Sequence, residues 1–348
     1  MTSRAASVRP LALACWLFAV AALVVIMIVV GGITRLTESG LSITEWRPVT
    51  GALPPLSEEQ WQSEFAAYQQ IPQFTEVNGP AGMTLAGFKE IFFWEWFHRL
   101  LGRLVGLAYG LPLAWFWFKR MIPAGYLARL LGLLALGALQ GAVGWWMVKS
   151  GLTHDVKVSH LRLATHLGLA LITLALLIWA ALDLKAVARG QAQAGLTRLG
   201  AIALGALAIQ LFFGALVAGL RAGPVAGGGW LSADAWPLMQ GCLFPAGVDW
   251  TQGAAHALFG DPYLVHFFHR WWAWLVVAIL IVLARQLRPI ERRASLAIHA
   301  AFGIQILLGI ATVWSGTAIW LAGLHQLTGA LLLVATVWGA HRLGQAKA

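Results

Sequence analysis

Glu95-Trp96-Phe97-His98-Arg99 returns 171 residues later as His266-Phe267-Phe268-His269-Arg270. In both places a histidine followed by arginine stands inside a long apolar segment. Two further histidines open apolar runs: His166 precedes Leu167-Gly168-Leu169-Ala170-Leu171, and His325 precedes a stretch ending Leu331-Leu332-Leu333. An ionisable side chain inside hydrocarbon is costly and marks a functional position. Two pairs of such imidazoles read as axial ligand sets for two haem irons.

The setting follows from composition. The chain is 59% hydrophobic and 11% charged, against roughly 25% charged residues in a soluble domain. Eight apolar runs reach the length of about 20 residues that a bilayer crossing needs. They are Leu11–Gly31, Ile91–Phe118, Leu127–Val148, Val158–Leu182, Leu196–Leu220, Tyr263–Ala284, Ala294–Trp314 and Ala318–Ala340. The first is too long for a cleavable signal peptide and lacks a small-residue cleavage site. The expected fold is an all-α integral membrane protein with eight transmembrane helices, arranged as two parallel-repeat four-helix bundles.

Charge sets the orientation. With both termini in the cytoplasm, the inner set is Arg4, Arg9, Lys119, Arg120, Arg129, Lys185, Arg189, Arg198, Arg285, Arg288, Arg292, Arg293, Arg342 and Lys347. Only two of the 14 acids, Asp183 and Glu291, fall on that side. The net charge of +10 thus expresses the positive-inside rule. Because the cations sit in short loops between apolar runs, nucleic-acid binding is rejected. The expected location is the cell inner (plasma) membrane, multi-pass, both termini cytoplasmic.

The repeat extends beyond the histidines. Gln140 is followed by Gly144 and Ser150-Gly151, and Gln305 by Gly309 and Ser315-Gly316 at the same offsets. The turn read at Gly32-Ile33-Thr34-Arg35 has a counterpart in Gly219-Leu220-Arg221. Four spans per half is an even number, so both halves enter the membrane from the same side and are parallel rather than inverted repeats. Residues 1–190 form the first half and 191–348 the second. The Gln, Gly and Ser positions read as close helix packing and interhelical hydrogen bonding. Counted from Lys89, Lys157, Asp261 and Gly316, the four histidines lie roughly 12–14 Å inside the outer boundary. Facing helices with equal ligand depth can clamp one flat macrocycle from both sides.

Other histidines read differently. His154 and His160 flank the fourth span and read as interfacial, within reach of a haem propionate. His256, His299 and His341 carry no assigned role. His266, one turn before His269, is a candidate neighbour of the second macrocycle. Cys15 reads as a small apolar core residue, too far from Cys242 in an outer loop to be bridged. There is no Cys-x-x-Cys-His, so haem is held without thioether bonds.

The halves differ at one telling place. Glu95 stands three residues before His98, where the second half has His266. Residues i and i+3 share a helix face, so the carboxyl lies beside the same macrocycle as His98. Arg99 or Arg103 can pair with it as a structural ion pair. The functional alternative is a proton donor or acceptor at one porphyrin edge, with chemistry in one half and a permanent, electron-passing haem in the other.

Several stretches resemble haem A synthase of the proteobacterial and mitochondrial branch. They are Gly87-Phe88-Lys89-Glu90-Ile91-Phe92-Phe93-Trp94-Glu95-Trp96-Phe97-His98-Arg99 through Gly102-Arg103, Gln140–Leu152, Arg162–Ala170 and Trp236-Pro237-Leu238-Met239. Some Gram-positive members carry a cysteine pair in the first outer loop; Arg35–Lys89 has none. The resemblance implies oxidation of a methyl group of haem O, through a hydroxymethyl intermediate, to the formyl group of haem A for cytochrome oxidase biogenesis. It implies that His98 and His166 face the substrate haem, with Glu95 as acid/base residue. His269 and His325 would then ligate a resident haem b. Arg35, Arg99, Arg221 and Arg270 are placed to pair with propionates or to snorkel; Arg99 and Arg270 are taken as cofactor-binding. The implied neighbours are the haem O-producing enzyme, an unidentified electron-transfer partner and the lipid bilayer, and exposed span faces leave homo-oligomerisation open.

Outside the spans, Ser57-Glu58-Glu59-Gln60 reads as a capping box, with Trp61, Phe65 and Tyr68 at helical spacing. This predicts a short amphipathic helix on the outer face within segment 35–89, lying as a lid over the bundle. The Gly- and Pro-rich loop Arg221–Asp261 would cover the other bundle. Two other classes also use four histidines: a di-haem cytochrome b-like electron-transfer subunit, and a haem transporter or chaperone. The first has no use for Glu95, and the second leaves haem O unchanged.

Overall fold

A computed structural model describes residues 8–153, 155–227 and 229–347; Arg4 and His154 lie outside them. The described residues are helical throughout, apart from loops and one isolated bridge between Met239 and Cys242. In chain order the helices are α1 (Pro10–Leu36), α2 (Glu58–Tyr68), α3 (Leu85–Phe118), α4 (Leu127–Thr153), α5 (His160–Val187), α6 (Arg198–Leu220), α7 (Ala254–Gly260), α8 (Pro262–Leu287), α9 (Arg292–Trp314) and α10 (Ile319–Gln345). Eight of them, all but α2 and α7, are long and apolar enough to cross a membrane, as the sequence predicts. Polar caps fix several starts: Thr84 accepts from the Gly87 amide, Thr197 from Gly200 and Asp261 from Leu264. Each satisfies a backbone N–H that the first helical turn leaves unpaired.

Contacts close into two rings. Helices α1, α3, α4 and α5 touch in one cycle, and α6, α8, α9 and α10 in another. The rings meet where α1 touches α10 and where α5 touches α6 and α10. Leu13, Leu17, Leu174, Leu177, Leu207 and Leu280 are fully enclosed in the core that includes this seam. By contrast α4 and α9 bury few side chains and present Leu134, Leu139, Ile304 and Leu307 outward. Hydrocarbon accepts such faces at no hydrophobic cost, so helix contacts there rest on packing and hydrogen bonds. Gly32 permits one such approach: a Cβ would collide with Gln326, whose Nε2 donates to the Ile28 carbonyl at 2.7 Å.

Two sequence expectations need correction. Residues 32–35 do not form a turn; α1 runs on to Leu36, since the backbone stays hydrogen-bonded until a partner beyond the span replaces it. Cys15 is exposed on the outside of α1 rather than in the core, because an apolar side chain facing lipid is indistinguishable in composition from one facing protein.

The predicted outer helix is α2. Ser57 accepts from the Gln60 amide and Gln60 accepts from the Ser57 amide, completing the capping box. Phe65 and Tyr68 are buried against Phe88, and Trp61 against Phe92, so α3 begins at Leu85, six residues before the apolar run. Tyr68 donates to Gln73 Oε1 (3.0 Å) and accepts from Asn78 Nδ2 (2.6 Å). Burial pushes its phenol up to about 12, against the Asn78 bond that lowers it. Stability tied to the neutral phenol is complete below pH ~10 and is lost as pH rises through that higher value.

At the opposite face, buried Asp183 of α5 ties the rings together. It accepts from Arg129 Nη1 (3.2 Å), the Ala194 amide (3.3 Å) and, across the seam, His341 Nε2 (3.0 Å). Removing one member leaves the others buried and unpaired. Asp183→Ala is expected to lower stability by about 3 kcal/mol, measured by denaturant titration in detergent; an unchanged midpoint would show that the cluster holds nothing together.

Candidate functional site

The four histidines share one local design. Each imidazole lies over a glycine of the neighbouring helix: His98 over Gly31, His166 over Gly144, His269 over Gly214 and His325 over Gly309. A Cβ at these glycines would stand 3.1, 2.9, 3.0 and 3.1 Å from the ring, tighter than ordinary van der Waals contact. All four side chains are half-buried, whereas His266 and His341 are fully enclosed by protein.

Three of the four glycines follow a glutamine by one turn. Gln140 Nε2 donates to the His166 carbonyl (3.0 Å) and lies 3.1 Å from Nδ1. Gln210 Nε2 does the same for His269, at 3.0 and 3.1 Å. Gln305 Nε2 approaches His325 Nε2 at 3.4 Å. The sequence displays the Gln-x-x-x-Gly spacing at 210–214 as plainly as at 140–144 and 305–309, yet Gln210 was not singled out. In the first position the glutamine is replaced by Met27, and among the described residues no side chain bonds the His98 ring.

This design fits iron ligation. The His269 and His325 ring centroids are 6.4 Å apart, with planes at 85°. Two metal–imidazole bonds of about 2 Å, plus about 1 Å from each nitrogen to its ring centre, span roughly 6 Å. The Gln210 carbonyl lies 3.2 Å from His269 Nδ1; a proton on that nitrogen would leave Nε2 bare for a metal. Oε1 of Gln140, Gln210 and Gln305 are buried without partners. Among the described residues no three His, Cys, Asp or Glu side chains converge as a bare metal ion requires. Paired imidazoles suit an iron whose remaining ligands come with a macrocycle.

In both halves, the arginine that follows the histidine anchors a loop segment. Arg99 donates to the carbonyls of Ile43 (2.8 Å) and Glu45 (2.8 Å), and Arg270 to those of Leu238 (2.7 Å) and Pro237 (3.4 Å). One turn earlier stand Glu95 and His266. Buried Glu95 accepts on Oε1 from Arg99 (2.6 and 3.1 Å) and on Oε2 from Ser42 Oγ and the Ile43 amide, both at 2.8 Å. His266 Nδ1 meets the Ala222 carbonyl at 2.7 Å, and its Nε2 lies 3.5 Å from Arg270. Arg103 turns instead to the carbonyls of Arg47 and Pro48. Arg35 donates to the Gly219 carbonyl and Arg221 pairs with Glu38 at 2.7 Å, so both bind across the outer face.

A family model described as cytochrome oxidase assembly protein matches residues 14–337. The heme A synthase of Novosphingobium aromaticivorans is 66% identical over 96% of this chain and 95% of its own length. Those of Erythrobacter litoralis and Sphingopyxis alaskensis are 54% and 53% identical, over 97% and 100% of this chain and 98% and 96% of theirs. The chain belongs to the haem A synthase family. The resemblance read from Gly87–Arg103 and Gln140–Leu152 therefore holds over essentially the whole sequence.

A methyl group tests the cradle. Gly309→Ala must displace the His325 ring by a few tenths of an ångström, and misplacing a group that orients a ligand costs about 10- to 100-fold in metal affinity. Haem retention during purification is expected to fall in that range, read from absorbance per protein. Retention equal to wild type would show that the close approach is incidental.

Proposed function

We propose that this protein oxidises a methyl group of haem O, through a hydroxymethyl intermediate, to the formyl group of haem A. The first ring, residues 1–190, handles the substrate, and the second, residues 191–348, holds a resident haem b. The observation that carries the reading is the asymmetry of the repeat. Matched histidine pairs lie in both rings, but a buried carboxylate stands beside His98 where an imidazole stands beside His269. The names of the relatives support the same reaction.

His98 and His166 would hold the substrate iron, with Glu95 one turn from His98 on the same face of α3. Glu95 carries negative charge to that periphery, and each oxidation of the methyl carbon releases protons that a nearby carboxylate can accept. Its four donors hold it in place, and Arg99, Ser42 and Ile43 draw the outer segment down over the mouth, which excludes water. His269 and His325 would hold the haem b, with Gln210 and Gln305 orienting them. That haem supplies one-electron redox capacity. Arg99 and Arg270 stand at the outer edge of each pair, where a propionate would lie.

In this reading the protein spans the inner membrane with both termini cytoplasmic, supported by the clustering of cations on one face. It takes haem O from the enzyme that makes it and passes electrons to a separate partner. Mass analysis of haems extracted after expression with a haem O supply tests the activity. Haem A or its hydroxymethyl precursor is expected; unaltered haem O alone would favour a carrier or chaperone.

A further inference from the structure

On the cation-rich face, at the seam between the rings, α1, α5, α9 and α10 enclose a cavity of about 520 Å³. Lys185, Arg189, Arg293 and Arg342 line it, against a single carboxylate, Glu291. Glu291 is already 3.4 Å from Arg342 Nε. Among the described residues, Lys185, Arg189 and Arg293 have no carboxylate within ion-pair distance. Four cations facing one anion repel one another unless an anion joins them.

The deeper wall is of opposite character. Phe18 and Ile178 from the first ring, and Val334 and Trp338 from the second, make it apolar. His341 completes it, fixed by its bond to Asp183, so the scaffold is preformed. The volume lies within the roughly 300–1,000 Å³ of sites that bury small molecules. Guanidinium groups bind phosphate in forked geometry, and basic pockets between transmembrane helices suit anionic headgroups. An inorganic ion would use the cations but leave the aromatic and aliphatic wall in water.

We infer that this cavity binds an anionic phospholipid. Its phosphate sits among Lys185, Arg189 and Arg293, and an acyl chain follows Phe18, Ile178, Val334 and Trp338. Such a lipid touches both rings and helps hold them in register. This site is separate from the histidine pairs and does not depend on what they bind.

Binding to the purified, haem-loaded protein is measured by native mass spectrometry with phosphatidylglycerol, phosphatidylcholine and inorganic phosphate. The expected result is retention of phosphatidylglycerol but neither of the others. The triple variant Lys185→Gln, Arg189→Gln, Arg293→Gln is expected to weaken it by about a hundredfold, since each cation contributes about fivefold. Crosslinking of a photoreactive phosphatidylglycerol to wild type, mapped to α5 and α10, gives a readout independent of any variant. Equal retention of phosphatidylcholine, binding of phosphate alone, undiminished binding by the triple variant, or crosslinks confined elsewhere would each overturn the assignment.

Discussion

Replacing His269 or His325 by alanine is expected to empty the second ring of haem while leaving the helices folded. The two imidazole rings stand 6.4 Å apart, so on the proposed reading each would supply one of the two protein bonds to the iron. Losing a partner that merely orients a metal ligand costs about 10- to 100-fold in affinity, and losing the ligand itself costs more. The variant purified in detergent is therefore expected to lose that haem, with absorbance per protein dropping by about half as the first-ring haem remains. Folding should survive, because both histidines are half-buried and outside the enclosed seam of Leu174, Leu177, Leu207 and Leu280. Haem content equal to wild type in both variants would remove these residues from the ligand set.

The second large effect is at Glu95. Glu95→Gln preserves size and can still accept on Oε1, but it replaces a charge paired with Arg99 and sets an amide N–H against a donor. Positioned acid/base groups contribute about 10²- to 10⁴-fold to rate, and product formation is expected to fall by that much with substrate and resident haem both still bound. Glu95→Asp, which keeps the charge but shortens the reach, should recover part of the rate. The structure gives the residue an anchoring task as well, through Ser42 and Ile43. If Glu95→Gln makes haem A at the wild-type rate, anchoring is its whole contribution. If instead the variant loses haem, the outer segment rather than proton transfer explains the defect.

Much of this was readable in the chain because hydrocarbon imposes strict rules. Only helices satisfy their own backbone in lipid, so the eight long helices appeared within a few residues of the predicted runs. The histidines stood out for the same reason, as costly groups that composition alone would exclude. The ends were less legible. α1 passes Gly32 to Leu36, where contacts distant in sequence meet it: Gln326 packs on Gly32, and Arg35 donates to the Gly219 carbonyl. α3 begins at Leu85 because α2 covers Phe88, which no local periodicity reveals. Cys15 was misplaced because lipid and protein core select the same side chains. The spacing of Gln210 to Gly214 matches Gln140–Gly144, but spacing alone does not mark it; its part comes from His269 of another helix, which lies against both. The four donors of Glu95 were half legible: Arg99 lies one turn away, but Ser42 and Ile43 come from a segment more than fifty residues earlier.

The central claim is that paired imidazoles on glycine-backed helices each hold a haem. Electron paramagnetic resonance of the oxidised, purified protein tests it most directly. With the His269 and His325 planes at 85°, the account predicts a low-spin ferric signal of the highly anisotropic kind that perpendicular axial imidazoles produce, absent from His269→Ala. A preparation with no iron tetrapyrrole, or one in which that highly anisotropic signal persists in His269→Ala and His325→Ala alike, would contradict it.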